Sequence, residues 1–101
     1  MMFIILFKDN PTADPNIREA HMAAHLSFLE ANADKISAAG PLSKSSGEAA
    51  GGLWLVDAKT ESDVERLVRD DPFWPTGLRK SFSIFNWNQV YADGTRLIHP
   101  D

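Results

Sequence analysis

The order of its segments predicts an α+β domain: a four-stranded antiparallel sheet with two helices on one face. Three observations carry this. Phe3–Phe7, Leu53–Val56 and the run from Ser81 to Tyr91 are rich in β-branched and aromatic residues, as strands are. Apolar residues recur with helical period from about Pro15 to Asn32, and again after Thr60. With one further strand beginning at Ile36, the order reads β-α-β-β-α-β.

Phe3-Ile4-Ile5-Leu6-Phe7 does not alternate; both of its faces are apolar, as in a strand covered on both sides. Asp9-Asn10-Pro11-Thr12 ends it with turn residues. Asp14 is expected to cap the first helix, with Pro15 in its first position and Asn32 near its end. Ile36–Ala39 begins the second strand, and Gly40-Pro41 marks a bend, a bulge or an edge position. Ser43 to Gly47 reads as a polar loop. Gly51-Gly52 leads into Leu53-Trp54-Leu55-Val56 and, with no helix after it, is no phosphate loop. Thr60 caps the second helix, with Asp63 three residues on. Val64, Leu67 and Val68 give that helix a narrow apolar stripe, and Pro72 forces it to stop by Asp70. An aromatic loop, Phe73-Trp74-Pro75-Thr76-Gly77, precedes the last strand, and Ala92-Asp93-Gly94-Thr95 is a turn. Residues 1–91 are expected to form one domain and residues 92–101 a C-terminal tail.

This order is the split-βαβ, ferredoxin-like arrangement. Its two helices cover one side of the sheet, yet Ile4 and Ile5, Trp54 and Leu55, and Ile84 and Phe85 are apolar on both sides. The bare face would exceed the apolar patch a monomer tolerates. A second copy, sheet against sheet, is therefore expected.

The chain has 101 residues, a formal net charge of −4 and no cysteine. The charge leaves no basic footprint for nucleic acid. The lack of cysteine removes disulfides, thiolate nucleophiles and Cys-ligated zinc. The apolar opening is too short to span a membrane and has no signal-peptide flank, so no membrane partner and a cytoplasmic location are expected.

The first helix holds an anomaly. At about 100° per residue, Ile17, His21, Ala24 and Phe28 share one sector, with Arg18, Met22, His25 and Leu29 beside them. One arginine and two histidines thus sit on the face that should point inward, where polar groups need partners. His21 and His25 also have the i,i+4 spacing of two metal ligands, but the intervening glutamate of a metalloprotease motif is missing and no third ligand is placed. Asp71 sits at a helix break fixed by Pro72, beside Phe73 and Trp74, where a carboxylate could orient an imidazole or bind a cation. Phe73 and Trp74 could line a pocket. Trp87 is read as a core or interface aromatic, and Gly40-Pro41 could shape a pocket rim or simply bend a strand.

Arg18-x-x-His21, Ala39-Gly40-Pro41-Leu42, Asp70-Asp71-Pro72-Phe73 with Gly77-Leu78, and an aromatic strand ending in Trp87 together resemble the YciI-like (YCII-related) family. The resemblance runs from Phe3 to about Trp87. It implies a dimeric α+β barrel and an active site around a histidine and an aspartate, carried onto His21 and Asp71. One activity known in that family removes chloride from a chlorinated hydroxyhydroquinone, and that substrate is not assigned here.

The resulting expectation is a cofactor-independent enzyme acting on a small, oxygenated, possibly aromatic molecule by elimination, isomerisation or a dehydrochlorination-like step. His21 is its acid–base group and Asp71 orients it. Arg18, His25, Gly40, Pro41, Phe73 and Trp74 bind substrate, with no cofactor and no metal. Two alternatives stand beside it: a non-catalytic dimer that binds a small ligand or partner, and a metal-binding protein using His21 and His25.

Overall fold

A computed structural model describes residues 1–100. Its elements are β1 (Met2–Asp9), α1 (Ile17–Ala31), β2 (Ile36–Ser43), β3 (Ala49–Asp57), α2 (Glu61–Asp70), β4 (Arg79–Asn86), and the two-residue strands β5 (Tyr91–Ala92) and β6 (Thr95–Arg96). The first four strands form one antiparallel sheet in the order β2-β3-β1-β4. This is the ferredoxin-like arrangement that the segment order predicts. Among the described residues, no helix is long and apolar enough to cross a membrane.

Strand alternation divides the apolar residues between the two faces. Phe3, Ile5 and Phe7 of β1, with Trp54 and Val56 of β3, form the core with Val64, Leu67 and Val68 of α2. Phe82 and Ile84 of β4 pack against it. The intervening residues point the other way. Ile4 lies between Leu55 on one side and Phe85 on the other, and Leu6 lies opposite Leu53. Phe85 is 52 % exposed. The strands are thus apolar on both faces, and only one face is under helices.

Several boundaries differ from the sequence expectation. Helix α1 starts at Ile17, because the Asp14 carboxylate accepts from the Asn16 amide in a local turn instead of capping a helix at Pro15. Strand β2 runs through Gly40 and Pro41 to Ser43, which a proline permits because β2 is a sheet edge. Its register with β3 shifts at Ser37 and again at Leu42. Strand β4 begins at Arg79, two residues early, and stops before Trp87, which is partly exposed. Tyr91 belongs instead to a short hairpin turned by Asp93 and Gly94, both at positive φ. Helix α2 follows its expected limits, with the Thr60 hydroxyl accepting from the Asp63 amide at 3.2 Å.

Gly51 of β3 lies against the backbone of β1. It has φ +88°, and a Cβ there would lie 1.9 Å from the Phe7 carbonyl oxygen. Gly51→Ala is expected to cost about 3 kcal/mol or more, from left-handed strain plus displaced backbone. The urea midpoint measures it, and a loss below about 1 kcal/mol would refute the close approach.

Candidate functional site

A hollow of about 110 Å³ lies between α1, the sheet and the loop after α2. Arg18, His25, Gly40, Pro41 and Phe73, all singled out in the sequence, line it. Edge strand β2 supplies the Gly40-Pro41 wall, so this dipeptide is both a strand segment and a pocket rim.

Asp71 is the centre of the polar network. It is the C-cap of α2, held in extended geometry (φ −63°, ψ 131°) by the proline that follows. It is fully buried. Its Oδ1 accepts from the Phe73 amide at 3.2 Å and lies 2.8 Å from His25 Nδ1. Its Oδ2 accepts from the Arg79 guanidinium. Burial pushes the carboxyl upward, but the His25 hydrogen bond, the charge of Arg79 and the Phe73 amide outweigh it and hold Asp71 below its ordinary value of 3.8. An ionised carboxylate can only accept, so His25 Nδ1 carries a proton and donates it. In the neutral ring Nε2 is then an unprotonated acceptor. His25 is 8 % exposed, and its ring lies tilted 4.4 Å from that of Phe73 and stacked at 6.4 Å on that of Trp54.

The depressed carboxyl makes a pH prediction. A group whose folded value lies below its unfolded one stabilises the fold above the unfolded value, and that contribution is lost as pH falls through the folded value. The stability gap between wild type and Asp71→Asn is therefore expected to be full at neutral pH and to shrink well below pH 3.8. Urea midpoints at the two pH values measure it, and a gap independent of pH would contradict an ionised Asp71.

Two placements differ from the sequence expectation. The histidine paired with Asp71 is His25, not His21: His21 is half-buried, makes no hydrogen bond to Asp71 and does not line the hollow. The reason is the placement of α1: His21 and His25 lie one turn apart and differ by about 40° around the helix axis, and the position of the helix against the sheet brings His25 to Asp71. Trp74 is also elsewhere. A 3-10 turn at Trp74–Thr76 turns it onto Phe82, with ring centres 5.2 Å apart, beneath Arg69. Arg18 does reach the hollow, but its guanidinium bonds Asp9 at 2.9 Å.

Two site residues escaped the sequence reading. Asp9 is hidden in apparent turn chemistry, and Arg79 lies before the expected start of the last strand. The Gly77-Leu78 pair was the available signal for Arg79, since strand β4 begins directly after it. Among the described residues, no three His, Asp or Glu side chains gather as a metal site would require. A larger groove of about 470 Å³ lies at the opposite end of β1 and β3, around Met1, Asp57 and Arg66, and contains no histidine.

The family model of the YCII-related domain matches residues 1–88. Among solved structures, the chain is similar to 5-chloro-2-hydroxyhydroquinone dehydrochlorinase (TftG) from Burkholderia phenoliruptrix AC1100, in complex with 2,5-dihydroxybenzoquinone. The TM-score is 0.69 at 28 % identity, covering 87 % of this chain and 94 % of that one. A dimeric ferredoxin-like protein of unknown function from Thermobifida fusca matches more loosely, with a TM-score of 0.42 at 20 % identity, covering 83 % of this chain and 85 % of that one. No curated protein matches the sequence.

Proposed function

This chain belongs to the YCII-related family, and from that premise we propose that it is a cofactor-independent enzyme performing proton transfer on a small, oxygenated ring. The observation that carries the reading is the His25–Asp71 hydrogen bond, buried at the wall of a hollow large enough for part of one ring. Asp71 keeps the Nδ1 proton in place and leaves Nε2 as the base. When Nε2 takes a substrate proton, the adjacent carboxylate stabilises the imidazolium. Met22, Leu26 and Pro41 give the hollow an apolar lining suited to a ring face.

The structural likeness to a dehydrochlorinase supports lyase-like chemistry on small molecules. A chlorinated hydroquinone and its dechlorinated quinone differ by HCl alone. Such a reaction needs a base for the proton and an exit for chloride, and no oxidant. The test is to incubate the protein with a panel of chlorinated hydroxyhydroquinones and follow chloride release with quinone absorbance. Release no faster than in buffer would overturn the enzymatic reading for this class. A thermal shift with the same compounds, without turnover, would support a ligand-binding protein instead.

The molecule is proposed to work as a dimer closed through its bare sheet face. The support is the row Leu55–Ile4–Phe85 and the neighbouring pair Leu53–Leu6, which no helix covers. Wild-type protein is expected to sediment as a dimer, and the double variant Leu6→Glu/Phe85→Glu as a monomer, because two buried unpaired charges per copy exceed what the interface can repay. A monomeric wild type would refute the dimer.

A further inference from the structure

Resting on that reading of the hollow, we propose that Arg79 is its oxyanion-binding residue: the guanidinium receives a phenolate or enolate oxygen of the substrate beside the His25 ring.

Arg79 opens β4, and its side chain is only 8 % exposed. Its guanidinium lies in an aromatic box, 4.0 Å from the centre of Phe7, 5.3 Å from Trp54 and 5.5 Å from Phe73. These rings offer its N–H groups no hydrogen-bond acceptor of ordinary strength, so the donors depend on polar partners. A guanidinium has five donors, and among the described residues Arg79 makes one side-chain hydrogen bond, to Asp71 Oδ2. No fully buried side-chain nitrogen or oxygen lacks a partner among those residues. The unpaired nitrogens of Arg79 therefore reach accessible space, and the cavity Arg79 lines is the hollow. Donors held in aromatic surroundings without a protein partner are costly unless something else accepts from them.

Charge points the same way. Arg18 and Arg79 are matched by Asp9 and Asp71, so with a neutral His25 the polar wall carries no net charge. A neutral hydroxyl can enter without a penalty of sign. Charge then develops on its oxygen as Nε2 removes the proton. Donors already aimed at that position favour the developing anion over the entering hydroxyl. Arg18, more exposed and bonded to Asp9, stands at the rim.

The test compares 4-nitrophenolate with its neutral isostere nitrobenzene by calorimetry. Wild type is expected to prefer the phenolate by about tenfold or more, the factor that a hydrogen bond to a charged group carries. Arg79→Lys keeps a cation for Asp71 but loses the planar fork, and is expected to abolish most of that preference. His25→Gln is expected to keep the preference while losing turnover, so a failed base and a failed oxyanion site give different results. No preference in wild type, or an unchanged one in Arg79→Lys, overturns the proposal. Should Arg79→Lys not fold, wild-type crystals soaked in 4-nitrophenolate decide the matter. The phenolate oxygen within hydrogen-bond distance of the Arg79 nitrogens supports the assignment; that oxygen bound elsewhere overturns it.

Discussion

Asp71→Asn is expected to destabilise the fold by about 3–5 kcal/mol, the range for breaking a buried ion pair from one side. The carboxylate accepts from three donors: the Phe73 amide, His25 Nδ1 and the Arg79 guanidinium. An asparagine side chain has one oxygen to offer and an amino group that meets a donor on the other side. Either His25 or Arg79 then loses its acceptor, and Arg79 is a cation with little access to water. The double variant Asp71→Asn/Arg79→Met is expected to cost less than the sum of its parts, since the second change removes the stranded charge. Urea unfolding of the four proteins measures the coupling. Strict additivity, or an Asp71→Asn protein within about 1 kcal/mol of wild type, would show that the pair contributes little to the fold.

His25→Gln is expected to lower turnover by about 10²–10⁴-fold on any substrate the protein transforms, the contribution of a positioned acid–base group. His21→Ala is expected to leave the rate within about twofold, because His21 neither bonds Asp71 nor lines the hollow. Rates of chloride release or proton exchange for the two variants separate the histidines directly. The reverse outcome would move the base to His21 and require α1 to rotate in the working enzyme. Both variants should be compared by their melting curves, since the His25 ring also packs against that of Phe73.

Much of the site was legible one residue at a time. The proline after Asp71 marked a carboxylate held at a forced helix end, and Gly40-Pro41 stood out within a strand. Arg18, His21 and His25 were conspicuous because polar side chains had entered an inward face. Which histidine would meet the aspartate was not legible. His21 and His25 are one turn apart and differ by about 40° around the axis, so the choice rests on the rotation and tilt of α1 against the sheet. Arg79 was missed for a related reason. Its role depends on Phe7, Trp54 and Phe73, which come from three distant parts of the chain to form its box.

By itself the sequence determined the order of elements, the two-sided apolar character of the strands and the break at Asp71. Those follow from short-range rules: alternation, helical period, capping and the geometry imposed by proline. Only the tertiary structure decided that His25 is the partner of Asp71, that Arg79 completes the network, and that Trp74 turns away from the hollow. Each depends on the position of one element against another, and a rotation of a few tens of degrees or a strand start moved by two residues changes the neighbours without disturbing any local pattern.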